Sequence, residues 1–215
     1  MTGCWRLRYK AMKTEVLAVT SPNAITYALE ILLSGGLVAF PTDTVYGVGA
    51  LVFDEPAVKS IYTAKERPVE KAIPVLIWDR EDVIKIAEAV PFFAARLIAR
   101  FWPGPLTVLV PKKETLPEMV SATATVGVRV PDHEVARALL RLAGPLAVTS
   151  ANRSSQPSPV TAQEVREQLG GRIPLILDGG QTPGGVPSTL VDCTGDEIQI
   201  LREGPISKER LLSAI

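Results

Sequence analysis

The sequence predicts one α/β domain, built on a mixed parallel and antiparallel sheet with flanking helices. Short runs typical of buried strands alternate with helical patterns along much of the chain. Several successive strands are joined by segments too short for a parallel crossover, so some neighbours must be antiparallel. With 215 residues, of which 47% are hydrophobic, the chain can bury one sizeable core.

Each predicted strand is short and either apolar or alternating. The predicted strands are 15–20, 37–40, 73–78, 106–110, 126–130, 145–149, 173–177, 188–192 and 198–202. The predicted helices are 21–34, 54–67, 81–89, 91–101, 131–142, 161–169 and 207–215. Ser21 and Asp54 are the predicted N-caps of the first two helices. The second helix must end before Pro68, because a residue that precedes proline avoids helical dihedrals.

Charge and cysteine content limit the functional class. Lys and Arg number 23 against 23 Asp and Glu, which argues against a protein that coats nucleic acid non-specifically. Cys4 and Cys193 form no metal or redox motif, so we expect free thiols and a cytoplasmic location. No apolar run reaches the roughly 20 residues that span a bilayer. We expect residues 1–13 to be a mobile N-terminal extension and residues 14–215 to form the domain.

The segment 41–49 follows a predicted buried strand and is rich in hydrogen-bonding side chains. It carries Thr42, Asp43, Thr44 and Tyr46. Its two glycines allow a ligand or another strand to approach the backbone closely. The segment therefore predicts one wall of a small-molecule pocket, although an ordinary strand-turn-strand corner would have the same pattern.

Several familiar catalytic motifs are missing from the sequence. It has no G-x-x-x-x-G-K-[ST] phosphate loop, no G-x-G-x-x-G after a strand, no H-E-x-x-H and no C-x-x-C. The single histidine, His133, stands at a predicted helix start, where a solvated or capping role is expected. A histidine triad or a histidine metal site is therefore disfavoured.

Cations and hydroxyls are the remaining candidates for chemistry. Lys65, Arg67 and Lys71 lie within seven residues and could hold a polyphosphate. Interleaved Glu66 and Glu70 favour the alternative of a solvated helix end.

Arg129 differs from these cations because it lies within a predicted strand of valines. It must either extend from a sheet edge to solvent or bind an anion, and we favour the anion. Further donors at strand ends, each with an ordinary turn or edge role as the alternative, are Ser150, Asn152, Ser188, Thr189 and Arg202.

Seven segments together resemble the YrdC-like family of threonylcarbamoyl-AMP synthases, in its short single-domain form. They are Pro-Thr-Asp-Thr-Val-Tyr-Gly at 41–47, Lys-Glu-Arg-Pro at 65–68, Trp-Pro-Gly-Pro-Leu-Thr at 102–107, Val-Gly-Val-Arg-Val-Pro at 126–131, Ser-Ala-Asn at 150–152, Pro-Ser-Thr-Leu-Val-Asp at 187–192 and Leu-Arg-Glu-Gly at 201–204. The resemblance covers the chain from about residue 24 to residue 206. It implies a twisted sheet around one deep, positively lined cavity.

The resemblance also implies a reaction and its partners. L-threonine, bicarbonate and ATP, with Mg²⁺, would form threonylcarbamoyl-adenylate and pyrophosphate. A tRNA threonylcarbamoyltransferase would then use the product to modify adenosine 37 of tRNA, and tRNA itself is a further partner to consider.

The family's site residues map onto this sequence position by position. Thr44, Arg129 and Ser188 match L-threonine contacts, with Arg129 pairing the carboxylate. The positions that match ATP contacts are Lys65, Arg67, Lys71, Thr125, Ser150, Asn152, Ser158 and Arg202. Lys65 and Arg67 are the predicted catalytic pair, and residues 65–71 are the candidate for a mobile cover.

Two positions depart from the pattern of some relatives, and two other functions stay open. Leu76 replaces a histidine that faces threonine, and Gln156 replaces an arginine, which puts part of the ATP contact in doubt. The alternatives to a synthase are a binding module for tRNA or double-stranded RNA, and a carbamoyl-transfer domain acting on another acceptor, as in hydrogenase-maturation proteins.

Overall fold

Ten strands form one sheet in the computed structural model, which describes residues 12–215. The strands are β1 Glu15–Ala18, β2 Val38–Phe40, β3 Gly47–Leu51, β4 Val75–Leu76, β5 Leu106–Pro111, β6 Thr125–Arg129, β7 Leu146–Ser150, β8 Leu175–Asp178, β9 Thr189–Asp192 and β10 Gln199–Arg202. Their order across the sheet is β1-β8-β2-β3-β7-β4-β6-β5-β9-β10. Most of the predicted 1–13 extension lies outside the described residues.

The sheet contains both parallel and antiparallel pairs of neighbouring strands. The pairs β1–β8, β2–β8, β4–β6 and β5–β9 are parallel. The pairs β2–β3, β3–β7, β4–β7, β5–β6 and β9–β10 are antiparallel. The predicted mixed α/β class is therefore confirmed.

Six α-helices and one 3₁₀ helix flank the sheet within residues 12–215. They are α1 Ala24–Leu33, α2 Glu55–Lys65, the 3₁₀ helix Arg80–Lys85, α3 Phe92–Phe101, α4 Glu134–Ala143, α5 Ala162–Leu169 and α6 Lys208–Leu212. None of these helices has both the length and the hydropathy that crossing a bilayer requires.

Alternate side chains of the strands pack into two hydrophobic cores, one on each face of the sheet. In β8, Leu175 and Leu177 join the core formed with α1 and α4, whereas Ile176 joins the core formed with the other helices. This follows from the period of two along a strand, which sends neighbouring side chains to opposite faces.

Two local predictions about helices were wrong, each for a visible reason. Ser21 does not cap α1, because residues 21–23 form a turn and Asn23, at φ 63°, occupies the N-cap position. The predicted helix 81–89 ends as a 3₁₀ helix at Lys85. Beyond it the backbone pairs with another segment, since Glu88 N donates to Pro111 O and Lys113 N donates to Ile86 O. The Asp54 cap is confirmed, with its carboxylate accepting from Ala57 N at 3.0 Å.

The segment after β2 is both the corner and the pocket wall that the sequence left as alternatives. It joins antiparallel β2 and β3 and also lines a cavity. The glycines of β3 leave room for the neighbouring strand β7. A Cβ on Gly47 would lie 2.7 Å from Val148 Cγ1, and one on Gly49 would lie 2.9 Å from Val148 Cγ2. The close approach of β7 therefore requires glycine at both positions.

Candidate functional site

A cavity of about 260 Å³ lies over the central strands. Its walls come from the β2–β3 segment, the turn after α2, and strands β4, β5, β6, β7, β9 and β10. The lining residues are Thr42, Thr44, Val45, Tyr46, Gly47, Arg67, Ala72, Pro74, Leu76, Thr107, Arg129, Val148, Thr149, Ser150, Pro187, Ser188, Leu190 and Arg202. Positively charged and hydroxyl side chains provide its polar lining, and apolar side chains such as Leu76 and Val148 provide the rest.

Arg129 is the most deeply placed cation of the cavity. Its side chain is only 6% exposed, and it forms a salt bridge with Asp43. Its Nε donates to Gly104 O at 3.0 Å and its Nη1 donates to Thr44 Oγ1 at 3.0 Å. Burial lowers the pKa of Arg129 from its ordinary value, and the neighbouring Asp43 carboxylate opposes that shift. The alternative of an edge arginine reaching solvent is therefore wrong.

The hydroxyls beside Arg129 leave an acceptor free for a ligand. Thr42 Oγ1 donates to Val45 O at 2.7 Å, so Thr44 must supply the proton of the 2.9 Å bond between the two threonine hydroxyls. Thr44 Oγ1 also accepts from Arg129. One lone pair of Thr44 remains, which suits an N–H donor such as an amino group.

The side chain of Lys65, the last residue of α2, points into the protein interior. It is 1% exposed, and its Nζ donates to the carbonyl oxygens of Ser150 and Asn152. Burial, together with the nearby charge of Arg67, lowers the pKa of Lys65 to about 7. The alternative of a solvated helix end is wrong for this residue.

Glu66 explains why the charge pattern of this segment misleads. As the C-cap of α2 it adopts a left-handed conformation, at φ 53°, which turns its side chain away from the cavity. Its carboxylate pairs with Arg153 and with Arg172, the latter at 2.7 Å. The acid in Lys65-Glu66-Arg67 therefore neutralises arginines that are distant in sequence, rather than its two neighbours in the tripeptide.

Arg67 and Arg202 line the cavity and form no salt bridge within residues 12–215. Arg67 donates to Lys71 O at 3.1 Å and Ala72 O at 2.8 Å, whereas Arg202 donates to Ser188 O at 3.0 Å. Burial lowers the pKa of Arg202, and repulsion from Arg67 lowers it further. Cations that are each held in place by neutral carbonyl oxygens favour a polyanionic ligand.

The cavity brings together most of the residues that the sequence singled out. Its lining includes Thr44, Arg67, Arg129, Ser150, Ser188 and Arg202. Lys65 and Asn152 adjoin it through the Ser150–Asn152 turn, where Asn152 is 6% exposed and its Oδ1 has no hydrogen-bond partner among the described residues. Lys71, Thr125 and Ser158 do not line it. Gln156 is exposed, and its carbonyl oxygen accepts from Asn152 Nδ2 at 2.8 Å.

Sequence reasoning missed two members of the site and was partly wrong about His133. Asp43 was not assigned as the partner of Arg129, and Thr107, which lines the cavity beside Ser188, was assigned no role. His133 occupies the N-cap position of α4, but its side chain makes no capping bond. Its Nδ1 is buried and has no hydrogen-bond partner in the described part of the chain, and burial lowers the pKa of His133, which favours the neutral imidazole.

By class, this is an α/β protein that presents a cation-lined cavity on one face of a mixed sheet. Solved structures share the architecture. P. abyssi Sua5 complexed with L-threonine superposes with a TM-score of 0.91 at 41% identity, over 94% of this chain and 61% of that one. E. coli YciO superposes with a TM-score of 0.82 at 25% identity, over 93% and 99% of the two chains.

The family model Sua5/YciO/YrdC, described as "Telomere recombination", matches residues 30–204. The threonylcarbamoyl-AMP synthase of Pyrococcus abyssi is 43% identical over 89% of this chain and 57% of its own length. A putative threonylcarbamoyl-AMP synthase of Mycobacterium tuberculosis is 40% identical over 94% of this chain and 95% of its own. The chain therefore belongs to the Sua5/YciO/YrdC family. It spans less than two thirds of the Pyrococcus relative and of a Bacillus subtilis synthase, of which it covers 59%.

Proposed function

We propose that the protein is an L-threonylcarbamoyladenylate synthase, which forms threonylcarbamoyl-AMP and pyrophosphate from L-threonine, bicarbonate and ATP. One observation carries the proposal: Lys65, Arg67 and Arg202, which have no carboxylate partner among residues 12–215, gather in or beside a cavity that also contains the buried Arg129. A polyphosphate and a small carboxylate are the ligands that such a site favours. The synthase names of the relatives and the L-threonine bound to P. abyssi Sua5 support this assignment.

The amino acid is assigned to the end of the cavity at Arg129. Its carboxylate would accept from the guanidinium, and its amino group would donate to the free lone pair of Thr44 Oγ1. Ser188, 5% exposed, lies on the same cavity wall as Arg202 and is the third assigned contact. Leu76 provides an apolar surface at this end.

The reaction needs charge stabilisation more than a strong acid or base. The amino group of L-threonine and bicarbonate condense to a carbamate and release water, and an oxygen of that carbamate attacks the α-phosphorus of ATP. The bond from the α-phosphorus to the bridging oxygen breaks, and pyrophosphate leaves with that oxygen. Negative charge moves between anions in this step, so the fixed cations Lys65, Arg67 and Arg202 are its assigned stabilisers. Lys65 and Arg67 are the proposed catalytic pair.

Mg²⁺ is proposed to enter with ATP. Among residues 12–215 no group of three or more His, Cys, Asp or Glu side chains could hold a metal ion. The carboxylate of Asp43, which lies next to the lining residues Thr42 and Thr44 in sequence, is engaged by Arg129. Phosphate oxygens of the nucleotide would therefore supply ligands to the ion, which would neutralise charge on the leaving pyrophosphate.

The wider setting is part of the proposal. A tRNA threonylcarbamoyltransferase would receive the product in the cytoplasm and use it at adenosine 37 of tRNA. A carbamoyl-transfer domain with another acceptor would share the sheet and the cations, and it differs in not requiring L-threonine. An RNA-binding module would show RNA affinity that falls steeply with salt.

The test is pyrophosphate release from Mg·ATP and bicarbonate, with and without L-threonine. We expect release that requires L-threonine and falls by about 100-fold or more in an Arg129→Ala variant, in line with the loss of a key electrostatic contact. Arg166→Ala, which removes an exposed arginine on α5, is the matched control and should keep wild-type activity. Release that is indifferent to L-threonine, in a folded protein, contradicts the proposed function.

A further inference from the structure

Thr107 on β5 is a buried cavity residue to which the proposed chemistry gives no role. It is 1% exposed, and its Oγ1 lies 2.8 Å from Ser188 Oγ. Its methyl group lies over β6, where a Cβ on Gly127 would be 3.1 Å from Thr107 Cγ2. Packing of the methyl against the Gly127 backbone fixes the χ1 rotamer and so directs the hydroxyl at Ser188.

Ser188 Oγ receives a second donor from β10. Arg202 Nη2 donates to Ser188 Oγ at 3.2 Å, and Arg202 Nε donates to the Ser188 carbonyl oxygen at 3.0 Å. A guanidinium can only donate, so this bond occupies one acceptor position of the Ser188 hydroxyl. An irregularity in the pairing of β10 with β9, between Ile200 and Arg202, accompanies this contact.

The direction of the bond between the two hydroxyls follows from the partners available to Thr107. Within residues 12–215 the hydroxyl of Thr107 has Ser188 as its hydrogen-bond partner and no other. If Ser188 donated instead, the proton left without a protein acceptor would be that of Thr107, which at 1% is less exposed than Ser188 at 5%. We therefore take Thr107 as the donor, which fills both acceptor positions of Ser188 Oγ.

We propose that Thr107 is a positioning residue for the amino-acid substrate: with Arg202 it commits the Ser188 hydroxyl to donate its proton into the cavity. The ligand atom at Ser188 must then be one that accepts a hydrogen bond, such as a carboxylate, carbamate or hydroxyl oxygen. An ammonium group is excluded from that position because it has no lone pair to accept the proton. This inference rests on the proposed function, which places an amino acid in the cavity.

The test compares Thr107→Val, which removes the hydroxyl and keeps the branched shape, with Thr107→Ser, which keeps the hydroxyl. Binding of L-threonine is measured by calorimetry and KM and kcat by pyrophosphate release. We expect Thr107→Val to weaken L-threonine binding by about three- to tenfold, the effect of one hydrogen bond. KM for L-threonine should rise by the same factor with KM for ATP unchanged, and Thr107→Ser should restore most of the affinity.

A double-mutant cycle separates positioning from general damage. In a Ser188→Ala background, Thr107→Val should cause no further loss of L-threonine affinity, because Thr107 acts through Ser188. Equal losses in both backgrounds would overturn the inference, as would unchanged binding in Thr107→Val. Thermal unfolding checks that each variant is folded. Failure of the wild-type protein to bind L-threonine refutes the proposed function itself, which is a different outcome from an unresponsive Thr107→Val.

Discussion

Two groups of cations in and beside the cavity carry positive charge in opposite ways. In the first group, which we call the paired end, Arg129 is buried and paired with Asp43. In the second group, the unpaired end, Lys65, Arg67 and Arg202 form no salt bridge within residues 12–215. Backbone carbonyls hold these three side chains in place instead.

This difference matches the charges of the two proposed ligands. A buried cation without a partner is costly, so Asp43 lets Arg129 remain buried in the free protein while its remaining N–H groups stay available to a carboxylate. The unpaired end keeps a net positive field, since carbonyls fix geometry without cancelling charge. That field attracts a polyphosphate and stabilises the charge that leaves with pyrophosphate.

The largest effect on stability is expected at the paired end. Asp43→Asn would leave Arg129 as an uncompensated buried charge, which costs about 3 kcal/mol of unfolding free energy. In a protein of this size the melting temperature should fall by roughly 6 to 12 °C. Asp196→Asn, which changes an exposed carboxylate, is the control and should melt within about 2 °C of wild type. Equal melting temperatures for the two variants would show that Asp43 does not compensate Arg129.

At the unpaired end the expected effect is on nucleotide binding. Arg67→Gln should raise KM for ATP by about 10- to 100-fold, because a hydrogen bond to a charged group contributes roughly 1.5 to 3 kcal/mol. KM for L-threonine should change little. Arg153→Gln is a stringent control, because Arg153 lies close by but its charge is compensated by Glu66. A similar loss in both variants would mean that general positive charge, and not the unpaired cation, binds ATP.

The sequence predicted much of the fold and the site because those features depend on local patterns. The mixed sheet followed from strand spacing, and Arg129 stood out because a charge interrupts an apolar strand. Most residues matched through the seven segments do line one cavity. Such features need only a short window of sequence to be recognised.

The features of the site that could not be predicted depend on long-range side-chain pairs and on local backbone conformation. The Asp43–Arg129 pair joins residues 86 positions apart, and the Thr107–Ser188 bond spans 81 positions. No periodicity connects such residues before the strands are placed side by side. The left-handed turn at Glu66 separates the charges of one tripeptide, and a charge pattern alone gives no sign of it.

The smallest effect, taken per pH unit, concerns Lys65 and again distinguishes the two ends. Burial lowers the pKa of Lys65 from its ordinary value of 10.5 to about 7. Between these values the unfolded chain binds a proton that the folded protein has released, so this residue makes folding more favourable as pH rises through that window. Lys65→Met lacks the titration. At pH values above about 7, the unfolding free energy of wild type minus that of the variant should therefore increase with pH. The slope should be at most about 1.4 kcal/mol per pH unit.

ATP binding should show the opposite trend, because phosphate oxygens favour the protonated ammonium. ATP affinity of wild type should weaken as pH rises above the pKa of Lys65, while that of Lys65→Met changes less. Urea unfolding and ATP titrations across the window measure both trends on the same two proteins. Parallel stability curves for wild type and variant would show that Lys65 keeps its proton throughout, held by the carbonyl oxygens of Ser150 and Asn152. In that case the unpaired end would remain fully charged in the free protein, and its contrast with the neutralised Arg129 end would be sharper still.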